Sequence, residues 1–286
     1  MSMPMYASAE QVMRDKTDYA RKGIARGRSV IVMSCDDAVL MIAENPSSTL
    51  HKVGEVYDRI GFAAVGRYNE FENLRQAGIR YADTRGFAYS RRDVTARGLA
   101  NAYAQTLGTI FGESLKPFEV EVCVAEVGQG PDEDQLYRLT FDGSVVDEPG
   151  FIAMGGQSDA VTAAVREGYT DGMTVEGGIQ LAVHALANSA PNGQVREVPS
   201  RNLEAALLER GKPGRAFRRL TAAYLDELLA NGTPGPAAAS VEAAVDADTP
   251  APSTPEPGTP ERGTPDSGTP DSGAPEPGDA DGTPSE

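Results

Sequence analysis

Few side chains in this 286-residue sequence combine the type and the spacing that chemistry requires. Histidine occurs twice, at His51 and His184, and cysteine twice, at Cys35 and Cys123. The cysteines lie far apart in apolar segments without CxxC or other ligand spacing, which reads as two buried thiols. A zinc site would need scattered positions to converge. A Ser/His/Asp arrangement would have to recruit His51 or His184, and His184 falls on an apolar helical stripe where a core histidine is the more frequent outcome. Carboxylates pair at Asp36-Asp37 and cluster at Asp132-Glu133-Asp134, but both groups sit at turns and read as solvated. Gly155-Gly156 before Gln157-Ser158-Asp159 could cradle an anion at a helix start. The competing reading, a tight strand-to-helix turn, is favoured because no GxGxxG or GxxxxGK[ST] pattern is completed. Local chemistry alone declares no catalytic site, no metal and no cofactor.

The elements that would position such residues fall into a body and a tail. From Asn231 onward the chain is mostly Gly, Pro, Ala, Thr, Ser, Asp and Glu without an aromatic residue, and it contains a repeat of five beginning at Gly258, Gly263, Gly268 and Gly273. Nothing there could offset the entropy of ordering it, so residues 231–286 are expected to form an extended, solvated, acidic tail. The tail holds eleven acids and one base, Arg262, out of 42 acids and 26 bases in all, which leaves the body with 31 against 25 and a net charge of −6. The acidity is mostly the tail's. No basic stripe with interleaved aromatics is present, which argues against a nucleic-acid partner. The N-terminus has no apolar leader core and no window approaches eighteen apolar residues, so the expectation is a cytoplasmic chain with no membrane partner.

Within the body, Ser8-Ala-Glu-Gln11 has the form of a capping box, and a helix is expected from about Ala9 to Arg26. Its apolar residues (Val12, Met13, Tyr19, Ala20, Ile24) make a narrow stripe, which places it on the outside of the domain or between subunits. Apolar runs at Val30–Met33 and Val39–Ala43 flank the hairpin residues Cys35-Asp36-Asp37, and Lys52–Tyr57 and Ile60–Val65 add two strands. From Asn69 the period changes. Phe71, Leu74, Ile79 and Tyr81 fit one helix, and Val94, Leu99, Tyr103, Leu107 and Ile110 fit a second that Asp93 can cap. Strands follow at Glu119–Val127, Leu136–Phe141, Ser144–Val146 and Phe151–Met154, then helices at Asp159–Tyr169 and Val175–Asn188, a strand at Leu203–Leu208 and a last helix at Arg215–Leu229. Helix pairs segregated between antiparallel strands predict an α+β layered sandwich and not a parallel βαβ fold.

The order of these segments resembles that of proteasome α-type subunits, the actinobacterial 20S core-particle α subunits above all. The likeness runs through Ser8-Ala-Glu-Gln, Tyr19-Ala-Arg-Lys-Gly-Ile-Ala-Arg-Gly27, Leu50-His-Lys52-Val, Ile60-Gly-Phe-Ala-Ala-Val-Gly66, Arg91-Arg-Asp-Val-Thr-Ala-Arg, Leu99-Ala-Asn-Ala-Tyr-Ala-Gln, Lys116-Pro-Phe-Glu-Val-Glu, Phe141-Asp-Gly-Ser and Met154-Gly-Gly, which covers essentially the whole body. The resemblance implies a four-layer αββα sandwich of the N-terminal-nucleophile hydrolase type over residues 9–230, seven copies of which form an outer ring on catalytic β subunits. The β-type nucleophile is a threonine freed at the chain start. Here the corresponding strand opens Gly27-Arg28-Ser29-Val30 behind a long helix, with no threonine to free, so the resemblance implies a non-catalytic subunit in which Glu44 and Lys52 are relics of the assisting acid and lysine.

By the same resemblance, Lys52 lines a pocket between neighbouring copies that captures the C-terminal carboxylate of an activator's tail, with Arg21 and Gly66 as supporting residues. An ammonium suits a terminal carboxylate as a compact point charge. The alternative is a lysine that merely flanks a strand. Residues 1–8 would be a flexible gate at the ring axis, carried by Met1, Ser2, Met3, Pro4, Met5, Tyr6 and Ala7. Met5-Tyr6-Ala7 departs from the Tyr-Asp-Arg triplet that organises the open gate in members outside the actinobacteria. The implied partners are further copies of the chain, proteasome β subunits, a hexameric AAA ATPase ring docking through its C-terminal tails, and unfolded substrates tagged with prokaryotic ubiquitin-like protein. Two other readings are an active N-terminal-nucleophile hydrolase and a stand-alone binding module whose acidic tail recruits a partner.

Overall fold

Val30 and Val32 point into one hydrophobic core, Ile31 and Met33 into another, and all four are fully buried. That alternation makes their strand an inner layer with both faces covered. A computed structural model describes residues 8–189 and 195–231. Helix α1 (Ala9–Ala25) leads into β1 (Val30–Ser34), β2 (Ala38–Glu44), β3 (Val53–Tyr57) and β4 (Ile60–Gly66). Helices α2 (Tyr68–Ala88) and α3 (Ala96–Glu113) precede β5 (Val120–Glu126), β6 (Gln135–Leu139), β7 (Val145–Asp147) and β8 (Phe151–Met154). Helices α4 (Ser158–Gly168) and α5 (Val175–Ala187), strands β9 (Leu203–Glu209) and β10 (Phe217–Leu220), and helix α6 (Ala222–Asn231) complete the described chain. The gate segment Met1–Ala7 and the tail beyond Asn231 lie outside the described residues.

The strands form two five-stranded antiparallel sheets, β10-β9-β2-β1-β8 and β3-β4-β5-β6-β7. One core lies between the sheets, built from Val30, Met41, Val65, Cys123 and Ala125 among others. A second lies between the first sheet and α4, α5 and α6, and a third between the other sheet and α2 and α3. This is the expected αββα sandwich. Ala20 and Ile24 of α1 join the inter-sheet core, so α1 closes one end of the sandwich with a stripe two residues wide, while Val12, Met13 and Tyr19 stay exposed. The Ser8 hydroxyl accepts from Gln11 N at 3.2 Å, giving one half of the capping box, while the Gln11 amide turns to Asp15.

Four expectations need correction. The last predicted helix is a strand, β10, followed by α6. Ala216, Phe217, Leu220, Leu225 and Leu228 repeat at helical spacing, but pairing with β9 holds Phe217–Leu220 extended. Helix α3 is capped by Thr95, whose hydroxyl accepts from Gly98 N, because Asp93 is taken into a short 3-10 turn. His184 is exposed and meets the Asn188 amide at 2.9 Å, so it is not a core histidine.

Asp134, finally, is not solvated. Its side chain is 2% exposed and takes both guanidinium nitrogens of Arg210 at 2.7 and 2.9 Å, the Ser34 hydroxyl at 2.5 Å and Gly128 N at 2.8 Å. Arg210 also donates to the carbonyls of Cys35 and Asp36, so this buried pair joins the two sheets at the far end of β1. The thiols of Cys35 and Cys123 are buried as expected, and burial pushes the Cys35 pKa up to about 12.

Candidate functional site

Lys52 stands one residue before β3, held on three sides. Its N–H donates to Glu204 Oε2 at 2.8 Å, its carbonyl accepts from Ala64 N at 2.9 Å, and its ammonium donates to the Arg28 carbonyl at 2.7 Å. The side chain is half-buried against the link between α1 and β1. Burial pushes its pKa down to about 8, aided by the nearby Arg28 charge and opposed by Glu204 and Glu44. Among the described residues Lys52 makes no ion pair, although two carboxylates are close enough to influence it.

Both carboxylates are engaged elsewhere. Glu44, at the end of β2, is 4% exposed and receives Arg196 Nη1 at 2.7 Å, Arg196 Nη2 at 2.5 Å and a further bond from Arg28. Burial works against its ionised form, but the hydrogen bonds and charges of Arg196 and Arg28 hold its pKa below the usual carboxylate value. Glu204, in β9, accepts from Lys52 N, Val53 N at 3.2 Å, Asn45 Nδ2 at 2.7 Å and Arg219 Nη1 at 2.7 Å, with His51 Nδ1 at 3.2 Å. It too is held below its ordinary pKa against the cost of burial, here chiefly by the Lys52 amide, Asn45 and Arg219. A carboxylate of one sheet thus pins the first residues of β3 in the other. Strand β9 is apolar apart from its two glutamates, so an acid one residue inside it was a visible signal. Arg196 and Arg219 carried none.

Gly66 ends β4 with φ at +106°, and a Cβ there would lie 1.9 Å from the Glu119 carbonyl oxygen. A Cβ on Gly27 would sit 3.4 Å from Gly66 N, so Gly66 packs against the same α1–β1 link that the Lys52 ammonium reaches. Arg21 lies on the exposed face of α1 and makes no hydrogen bond or ion pair with Lys52 or Gly66. The structure therefore brings Lys52 and Gly66 to one link, while Arg21 stays on the exposed face of α1 without a bond to either. The gate residues Met1, Ser2, Met3, Pro4, Met5, Tyr6 and Ala7 lie outside the described residues.

The Gly155-Gly156 pair is the tight turn and not an anion cradle. Gly155 has φ at +111°, Gly156 N donates to Gly27 O at 3.1 Å, and a Cβ on Gly156 would lie 2.1 Å from Ala25 O. This close approach seats the end of α1 against the start of β1. Ser29, at that start, is buried in mid-chain and has no free amine to act as a base for its hydroxyl.

Two stacked antiparallel sheets clad by helices, with a leading helix across one end and no liberated residue at β1, define a sandwich of the N-terminal-nucleophile hydrolase type. The sequence profile described as proteasome subunit matches residues 24–197. The chain is similar to the proteasome subunit alpha of Geodermatophilus obscurus, 62% identical over 234 residues that cover 80% of this chain and 82% of that one. It is 58% identical over 246 residues to the proteasome subunit alpha of Actinosynnema mirum, covering 85% and 94%, and 60% identical over 232 residues to that of Thermomonospora curvata, covering 81% and 100%. The chain belongs to the proteasome subunit family, among the α-type members that are the non-catalytic subunits of the 20S core. None of the described helices is long and apolar enough to cross a membrane.

Proposed function

We propose that seven copies of this chain form the outer ring of a cytoplasmic 20S core, gate the entry of unfolded substrates, and receive the C-terminal tails of a hexameric ATPase ring at Lys52. The observation that carries this reading is the state of the Lys52 ammonium. It is partly desolvated, held by the Arg28 carbonyl on a residue whose own N–H is fixed by Glu204, and without an ion pair among the described residues while both nearby carboxylates are occupied. A tail's terminal carboxylate would supply the missing charge, and in a partly enclosed cleft such a charge-assisted bond is stronger than in water. One wall is present in each copy, at Gly66 and the α1–β1 link, and a neighbouring copy would close the other. The exposed residues of α1 (Val12, Met13, Tyr19) are suited to contacts between copies and with the β ring.

In this reading Met1–Ala7 is the gate, the β ring supplies the hydrolytic threonines, and the substrates carry prokaryotic ubiquitin-like protein; nucleic acid, membrane and cofactor have no part. The tail, residues 231–286, would be present seven times and add about −70 of charge, able to repel or steer an activator as salt allows. Trimming the tail and titrating salt against activator affinity tests that last point, and unchanged affinity would remove it. The docking reading is tested with Lys52→Ala. The variant should assemble with β subunits yet lose stimulation by a peptide carrying the activator's C-terminal sequence and free carboxylate. Stimulation equal to that of the parent would refute the assignment.

A further inference from the structure

Lys52 is flanked by carboxylates of its own chain, and the docking reading requires that neither take it. Glu44 approaches from β2, Glu204 from β9, and the Arg28 guanidinium from the link before β1. Glu204 is committed by geometry, because two backbone amides, an asparagine and an arginine converge on it from fixed positions. Glu44 is different. Among the described residues its side-chain partners are Arg28 and Arg196, both partly exposed, and of these Arg196 grips it with two nitrogens. Arg196 is itself anchored by donating from Nη2 to the Leu186 carbonyl at 3.1 Å, at the end of α5. Its main chain follows, with Arg196 N donating to Ala187 O at 3.0 Å.

We propose that Arg196 is a positioning residue that withholds Glu44 from Lys52, so that the ammonium stays open for an incoming carboxylate. Remove the guanidinium, and a carboxylate that is 4% exposed keeps a single arginine. A buried charge that loses a partner turns to a second cation within reach. With Arg28 already bonded, that cation is the Lys52 ammonium, which feels the Glu44 charge and has no ion pair among the described residues. The site would then be occupied by its own chain. No covalent step is involved; the competition is between an internal and an external carboxylate for one ammonium. The inference rests on the reading of Lys52 as a carboxylate receptor and adds the device that keeps it vacant.

The experiment uses particles assembled from the full chain and β subunits. The probe is a fluorescent peptide with the C-terminal sequence of the cognate ATPase and a free carboxylate; its C-terminal amide serves as the control. Arg196→Gln should bind the peptide on the order of tenfold more weakly, as expected if nine sites in ten are self-occupied. Because Glu44 would then stabilise the Lys52 ammonium, the pH at which the remaining binding falls away should move up. Adding Glu44→Gln to Arg196→Gln removes the internal competitor and should return both the affinity and the pH midpoint toward those of the parent. Arg196→Lys, which keeps one charge, serves should Arg196→Gln fail to assemble, and it should shift both quantities part of the way. Parent-like affinity in Arg196→Gln, or weaker binding with an unmoved pH midpoint and no recovery in the double variant, would overturn the proposal. Lys52→Ala separates the two layers. If it binds the peptide as the parent does, the receptor reading fails and this inference with it, whereas lost binding in Lys52→Ala beside parent-like Arg196→Gln defeats this inference alone.

Discussion

The Lys52 ammonium lies 2.7 Å from the carbonyl oxygen of Arg28, a contact that ties the start of β3 in one sheet to the link entering β1 in the other. Position 52 is held by main-chain bonds to Glu204 and Ala64 as well, so little conformational freedom remains to be lost when a ligand meets the charge. The end of the sandwich that α1 closes is thus also the end where a preset cation is displayed.

Tail binding should depend on pH in one direction. The Lys52 pKa is pushed down to about 8 by burial, while a terminal carboxylate stays ionised from about pH 5 upward. The bound form needs the ammonium. Affinity should be flat below pH 8 and then fall toward about tenfold per unit above it. Lys52→Arg keeps its charge across the range, so whatever binding it supports should not show that fall. Fluorescence anisotropy with the assembled particle from pH 6 to about pH 10 reads the midpoint. A parent curve that stays flat to the end, or one that Lys52→Arg shares, would contradict the assignment.

Gly66→Ala tests whether the wall beside Lys52 needs glycine. At φ +106° a side chain is strained, and the added Cβ would have to displace the Glu119 carbonyl from 1.9 Å away. Backbone has no rotamer with which to yield. The variant should lose at least about 2 kcal/mol in urea unfolding. A loss within about 0.5 kcal/mol would show that the β4–β5 end can relax, and that Gly66 is not set by its conformation.

Most of this fold was legible in the sequence, because its inner strands are short apolar runs bounded by turn residues and its helices repeat at 3.6 residues. Reading failed where distant pairing outweighs local pattern. Phe217 and Leu220 have the spacing of a helix but are held by β9, and Asp134 sits in a turn of acids yet is drawn inside by Arg210, 76 residues away. The site divides in the same way. Lys52 and Gly66 stood out through resemblance to a family, while Arg196 and Arg219 serve it only through partners brought near by folding, 152 residues away for Glu44 and 166 for the Val53 carbonyl. The glutamate inside β9 was the one local sign of the network, since a buried acid in an apolar strand must find donors.

The N-terminal segment makes its own prediction. If Met1–Ala7 blocks the pore, its removal should raise hydrolysis of short peptides by the assembled particle in the absence of an activator, several-fold or more. It should also blunt further stimulation by the tail peptide, because the step that the peptide promotes has already been made. Unchanged basal hydrolysis would count against a gate there.

The central claim is that the chain is a non-catalytic ring subunit that works only as part of a larger particle. Peptide hydrolysis measured on the purified chain, on β subunits, and on the two assembled together, with mass photometry of each sample, tests it most directly. The chain alone should hydrolyse nothing at any assembly state, and activity should appear with a particle containing both kinds of subunit. Threonine-type peptidase activity from the chain by itself, or a chain that remains monomeric beside β subunits, would contradict it.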